Sequence, residues 1–146
     1  MKIKILYAED DELMRECGVN SLKECGFNVS LAKDGQEAWD KYQKGHYDVL
    51  LLDGNMPKMT GEEVMRRVRQ TGDDIAIVMY SCLPDYRLLD EGVDECINKG
   101  TYYPAELKWR IKVAFILSQE RKERNRLRTP KTEKWKTFWG RFRRNS

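Results

Sequence analysis

Short apolar runs alternate along this chain with longer stretches in which apolar residues recur every three or four positions. The runs are Ile3–Ala8, Phe27–Leu31, Tyr47–Leu52, Ile75–Tyr80 and, more weakly, Val93–Ile97, each of strand length. Between them lie Glu12–Cys25, Gln36–Lys44, Gly61–Gln70, Pro84–Glu91 and a stretch from Pro104 onward, all of helical length. Gly26, Gly45 and Gly72 stand where three of these helices should end, positions that favour a left-handed residue. Five strand–helix repeats predict an α/β fold: a five-stranded parallel sheet with helices on both faces.

In open sheets of this kind ligands gather at the carboxyl ends of the strands. Those ends carry Glu9, Asp10 and Asp11 after the first run, Asp53 after the third, Ser81 after the fourth and Lys99 after the fifth. Taken singly these residues are undistinguished. Asp53 reads equally as a turn former, and Asp11 and Glu12 as residues that favour the positive end of the following helix. Taken together they form a chemical set. Clustered carboxylates repel unless a cation holds them ionised, and oxygen-only donors favour Mg²⁺ over zinc. A carboxylate beside Mg²⁺, an ammonium and a hydroxyl can act as a nucleophile towards phosphorus. Asp53, which closes the apolar run Val49–Leu52, is the best-placed nucleophile.

Composition narrows the classes. The 146 residues are 40% hydrophobic and 35% charged, a globular balance. No apolar stretch approaches the roughly 20 residues of a spanning helix. The N-terminal run is too short and too soon acidic for a secretory signal, so a cytoplasmic location is expected. The four cysteines, Cys17, Cys25, Cys82 and Cys96, show no C-x-x-C pair and lack a histidine partner set, which reads as reduced core thiols rather than a zinc site. The net charge of +3 is unevenly spread. Residues 1–118 carry 16 Lys+Arg against 21 Asp+Glu, and residues 119–146 carry 11 against 3. The expected organisation is therefore an acidic domain over 1–118 and a basic amphipathic extension over 119–146.

The segments Ile5-Leu6-Tyr7-Ala8-Glu9-Asp10-Asp11, Ala32-Lys33-Asp34-Gly35-Gln36-Glu37-Ala38 and Leu51-Leu52-Asp53-Gly54-Asn55-Met56-Pro57-Lys58-Met59-Thr60-Gly61 resemble the receiver domain of two-component response regulators, over roughly residues 2–118. The resemblance implies a flavodoxin-like (βα)5 doubly wound fold, with a basic C-terminal helical tail added. It implies that Asp53 accepts phosphate from the phosphohistidine of a sensor histidine kinase or phosphotransfer protein. Glu9, Asp10, Asp53 and the Asn55 backbone carbonyl would hold Mg²⁺, while Ser81 and Lys99 would contact the phosphoryl group. Such a chain is a stand-alone or nearly stand-alone phosphoacceptor, of the chemotaxis type, that signals by protein contact to an output protein still to be named. It is not an enzyme turning over small molecules.

Three departures bear on signalling. The interval from Ser81 to Lys99 is about one helical turn shorter than the usual receiver's, so the helix at Pro84–Glu91 is expected to be stunted. Cys96 stands where a receiver usually has a switching aromatic, for which Tyr80, Tyr86, Tyr102 and Tyr103 are the nearby substitutes. Gly100 replaces the usual proline after the lysine. These departures motivate an alternative, a degenerate receiver serving as a phosphorylation-independent scaffold. A metal-dependent phosphohydrolase is disfavoured because Asn55 stands where a second catalytic aspartate belongs. A nucleotide carrier lacks the glycine-rich fingerprint after the first strand. In the tail the last helix is expected to run to Arg128 and break at Thr129-Pro130. Beyond it Trp135, Phe138, Trp139 and Phe142 fall at i, i+3, i+4 and i+7 among basic residues. That stripe would serve a homodimer, the body itself, a partner groove or a membrane surface. No sequence-specific DNA binding is expected of a segment this short.

Overall fold

The structure, a computed structural model, describes residues 2–100 and 104–128. Its strands are β1 (Lys4–Ala8), β2 (Asn28–Ala32), β3 (Val49–Leu52), β4 (Ala76–Ser81) and β5 (Glu95–Asn98), and its α-helices are α1 (Glu12–Glu24), α2 (Gly35–Lys44), α3 (Gly61–Gln70) and α4 (Pro104–Arg128). All strands are parallel, in the order β2-β1-β3-β4-β5. This is the doubly wound, flavodoxin-like arrangement expected from the sequence. No helix among the described residues is long and apolar enough to cross a membrane.

Side-chain alternation along the strands divides the core in two. On one face Leu6, Leu50, Leu52, Ile77 and Met79 meet Ala38 of α2 and Val64, Met65 and Val68 of α3. On the other Ile5, Tyr7, Leu51 and Val78 meet Leu22 of α1 and Leu107, Ile111 and Ala114 of α4. The central strand β3 is buried along its whole length because helices cover both its faces. Each fully buried Leu or Ile contributes about 2 kcal/mol by leaving water.

Local chemistry sets where the helices begin. Asp11 caps α1 by accepting the Met14 amide at 2.9 Å, and Asp34 caps α2 by accepting the Glu37 amide at 2.8 Å. Thr60 and Glu63 form a reciprocal capping box at the start of α3. At the helix ends, Gly26 (φ 89) and Gly72 (φ 82) take the expected left-handed conformation. Gly45 does not. Its backbone is extended (φ −113), and it lies against the Tyr47 ring, which a Cβ on Gly45 would approach to 2.9 Å.

The segment expected as a helix over Pro84–Glu91 is a 3₁₀ helix, Tyr86–Asp90. Asp85 caps it through the Arg87 amide at 3.1 Å, Leu88 is its buried anchor, and Gly92 (φ 124) turns the chain into β5. The short connection leaves room for little more than one turn, a length at which 3₁₀ geometry is common. The cysteines also depart from expectation. Cys96 is buried, but Cys17 and Cys82 are exposed and Cys25 is half-buried. Cys17 lies off the buried Gly18–Val19–Leu22 face of α1, and Cys82 lies in the loop after β4.

α4 continues to Arg128, as expected, and its later turns are fastened to the body. Arg121 donates to Asp94 Oδ1 at 2.7 Å and to the Asp74 carbonyl at 2.9 Å, while Asn125 donates to Asp74 Oδ2 at 2.6 Å. Asp94 also accepts from Arg69 of α3 at 3.1 Å and from the Ile77 amide at 2.8 Å. Arg69 in turn donates to the Gly92 carbonyl at 2.8 Å. One buried carboxylate thus ties α3, the ends of the 3₁₀ connection and α4 together where β4 and β5 begin. The Thr129-Pro130 break, the aromatic stripe Trp135, Phe138, Trp139 and Phe142, and Tyr102 and Tyr103 lie outside the described residues.

Candidate functional site

The chain runs outward from β1 to β2 and then returns past β1 to β3, so the topology switches between β1 and β3. Register pairs Ala8 with Leu52 and Leu52 with Met79, which brings the strands to one level. The residues that follow each strand therefore meet. The Asp53 amide donates to the Ala8 carbonyl at 3.0 Å, and the Glu9 amide to the Ala32 carbonyl at 3.1 Å. Glu9 and Asp53 are left side by side, both buried, with Asp10 exposed beside them.

Oxygen atoms of Glu9, Asp10 and Asp53 all lie within 4.8 Å of one another. Lys99, whose side chain is only 5% exposed, reaches between the two buried carboxylates. Its Nζ pairs with Glu9 Oε2 and stands 3.6 Å from Asp53 Oδ2. The same ammonium lies 5.4 Å from the centre of the Tyr80 ring, a cation–π contact that holds it in place. Tyr80 is buried and packs tilted against Tyr7, whereas Tyr86 is 58% exposed. Cys96, the residue in the usual aromatic's place, is fully buried, and its thiol faces the Asp85 carbonyl at 3.6 Å.

The acidic loop is held by its own backbone. The Asp11 amide donates to Glu9 Oε1 at 3.2 Å, and the Asn55 amide to Asp53 Oδ1 at 3.4 Å. Arg15 of α1 donates to the Glu9 carbonyl at 3.0 Å and the Asp10 carbonyl at 3.4 Å. Arg15 was not legible as a site residue, because nothing in its spacing separates it from other helix-surface arginines. Gly61 makes a close approach possible: a Cβ there would stand 2.2 Å from the Asp53 carbonyl oxygen. Ser81 closes β4 beside Gly54, its Oγ 3.6 Å from where a Gly54 Cβ would be, and it accepts the Leu83 amide at 3.4 Å.

Burial pushes the Asp53 carboxyl up from an ordinary 3.8 to about 6; Lys99 pulls it down, Glu9 pushes it up, and the Asn55 amide lowers it. One ammonium among three carboxylates leaves two negative charges to neutralise. An all-oxygen donor set with that deficit fits a hard divalent ion such as Mg²⁺. The surrounding cleft, about 650 Å³, leaves room for more than an ion. Met14 of α1, Met79 of β4 and Leu83, Pro84 and Leu88 from the connection after β4 are its apolar lining.

A family model described as the response regulator receiver domain matches residues 5–112. The response regulator MprA of Mycobacterium bovis is 38% identical over 103 residues, 68% of this chain and 45% of that protein. A protein of the same description from Mycolicibacterium vanbaalenii is 37% identical over 103 residues. The chain thus spans about half the length of the curated relatives it matches. Among solved structures, the response regulator protein TrrA from Thermotoga maritima, in complex with Mg(2+)-BeF, is 33% identical, with a TM-score of 0.71 over 78% of this chain and 99% of that one. A CheY-like receiver domain protein from Methanospirillum hungatei shares the fold at 21% identity, with a TM-score of 0.74 over 83% of this chain and 99% of that one.

Proposed function

The chain belongs to the response regulator receiver family of two-component signalling, and from that premise we propose that Asp53 is its phosphoacceptor. The observation that carries the reading is the meeting of Asp53 with Glu9, Asp10 and Lys99 at the strand ends. Glu9, Asp10, Asp53 and the Asn55 carbonyl are the residues that would hold Mg²⁺. The metal supplies charge neutralisation for the transferring group. TrrA, a relative crystallised with Mg(2+)-BeF, supports that ligand class.

The donor is the phosphohistidine of a sensor histidine kinase or a phosphotransfer protein. An Asp53 oxygen attacks phosphorus, a P–O bond forms as the P–N bond of the donor breaks, and the imidazole leaves with its electron pair. Lys99 exchanges part of its pairing with Glu9 for the new phosphoryl oxygens, and Ser81 Oγ, at the adjoining strand end, donates a hydrogen bond to one of them. The raised carboxyl suits this role, since an ion held uneasily by its surroundings gains when a cation arrives. Residues 1–118 act as the receiver and 119–146 as an extension through which output contacts are made. The protein is a signalling phosphoacceptor at work in the cytoplasm, not an enzyme that turns over small molecules.

Intact mass after incubation with a small phosphodonor tests this. The wild-type chain should gain one phosphate with Mg²⁺ and none with EDTA, and Asp53→Asn should gain none. A chain that takes up no phosphate under any of these conditions is a phosphorylation-independent scaffold, and the reading fails.

A further inference from the structure

Arg15 stands where the start of α1 does not favour it. Asp11 caps the helix and Glu12 opens it with the charge that suits its positive end, whereas Arg15, one turn in, brings the opposite sign. Ordering so long a side chain also costs rotamer freedom. Helical side chains lean towards the amino end, which carries the Arg15 guanidinium back over the loop after β1. Among the described residues it forms no salt bridge there. Its Nη1 donates to two main-chain carbonyls, Glu9 at 3.0 Å and Asp10 at 3.4 Å.

Those carbonyls belong to the two residues that have to be turned into the site together. In an extended chain successive side chains point to opposite sides, so a strand continued through Glu9 and Asp10 would send their carboxylates apart. The backbone bends at Asp10 instead, and oxygens of both residues come within 4.8 Å of each other and of Asp53. A single nitrogen shared by both carbonyls holds that bend from behind. The Glu9 carboxylate has further anchors in the Asp11 amide and Lys99. The Asp10 carboxylate is exposed and, among the described residues, has no hydrogen bond or ion pair of its own. The bent backbone is what places it.

We propose that Arg15 is a positioning residue for Mg²⁺ binding: by clamping the Glu9 and Asp10 carbonyls it keeps the Asp10 carboxylate beside Glu9 and Asp53. The proposal rests on the reading of that cluster as the Mg²⁺ site of a phosphoacceptor. As a charge alone Arg15 would act the other way, because a fixed cation near the site repels an arriving Mg²⁺. Charge and position therefore predict changes of opposite sign when the side chain is removed.

Amide-shift titrations of the full-length chain with MgCl₂ at pH 7.5 separate them. Arg15→Ala should raise the Mg²⁺ Kd about tenfold. Arg15→Lys, which keeps the charge and one donor for a carbonyl, should fall between Arg15→Ala and wild type. Asp10→Asn should weaken binding as well, and adding Arg15→Ala to it should change the Kd by less than about twofold, since the clamp acts through Asp10. Phosphate uptake by Arg15→Ala from a small phosphodonor should be about fivefold slower at a Mg²⁺ concentration equal to the wild-type Kd, the occupancy ratio that a tenfold weaker site gives, and should match wild type at saturating Mg²⁺. Equal or tighter Mg²⁺ binding by Arg15→Ala overturns the proposal, as does a full further loss on the Asp10→Asn background. A deficit in uptake that saturating Mg²⁺ leaves in place overturns it too, by showing a structural role. Wild type that binds no Mg²⁺ removes the metal reading and the proposal together. Mg²⁺ binding in the expected order without phosphate uptake by any version defeats the phosphoacceptor reading and leaves the role of Arg15 standing.

Discussion

Replacing Asp53 by Asn should make the metal-free protein more stable, and by an amount that depends on pH. The folded protein holds the Asp53 carboxyl at about 6, against 3.8 ordinarily, chiefly because the group is buried. Between those values the folded state binds a proton that the unfolded state has released. Stability is therefore fully present below about pH 4 and is lost as pH rises through 6. Two pKa units correspond to about 3 kcal/mol. Asn resembles the protonated carboxyl in shape and charge, and solvent at the open cleft screens part of the effect, so Asp53→Asn should be about 2 kcal/mol more stable than wild type at pH 7.5 in EDTA, and equal to it near pH 4. For a body of this size that is a difference of roughly 10 °C in Tm. Urea titrations of both proteins at pH 4, 5, 6 and 7.5 would measure it. Added Mg²⁺ should reverse the ranking at pH 7.5, because wild type keeps the full carboxylate set and the variant does not. A gap that is absent, or that does not change with pH, would show that Asp53 is better solvated or better compensated by Lys99 than its burial implies.

Lys99→Ala leaves Glu9 and Asp53 uncompensated. In EDTA its urea midpoint should fall by the equivalent of about 3 kcal/mol, with much of the loss recovered by Mg²⁺. Gly61→Ala drives a methyl into the Asp53 carbonyl, 2.2 Å away. It should destabilise by about 2 kcal/mol and slow phosphate uptake at least tenfold in the mass assay. Asp94→Ala leaves Arg69 and Arg121 facing each other without their shared partner; a loss of about 3 kcal/mol is expected, and the 121–128 amides should exchange with solvent as fast as free peptide. Thr60→Ala removes one half of the capping box and should lower stability by about 1 kcal/mol in thermal unfolding.

The order of elements and the ends of the strands were legible in the sequence because both arise locally. An apolar run as short as Val49–Leu52, set between stretches of helical length, reads as a strand covered on both faces, and Asp53 then stands at its exit. The place of Asp11 at the start of α1, and the stunted helix over Pro84–Glu91, likewise follow from nearby residues and from the length of the connection; Asp34 as the cap of α2 was not read from the sequence. Whether Glu9 and Asp53 touch was not local. It depends on β1 and β3 being neighbours in register, a long-range pairing that brings residues far apart in the chain to one point. The insertion of Lys99 between them, and the rise in the Asp53 carboxyl, follow from that pairing and from the low dielectric around it. Gly45, expected in the left-handed region at a helix end, is instead extended against the Tyr47 ring, a contact the local pattern did not show. Nothing local marks Arg121 among the basic residues of the extension, yet the docking of α4 across β4 and β5 gives it Asp74 and Asp94 as partners. The sequence by itself determined the elements and the chemical types at their ends, since periodicity and capping act over a few residues. The tertiary structure decided which charges share a site, because burial and Coulomb interaction depend on distances in space.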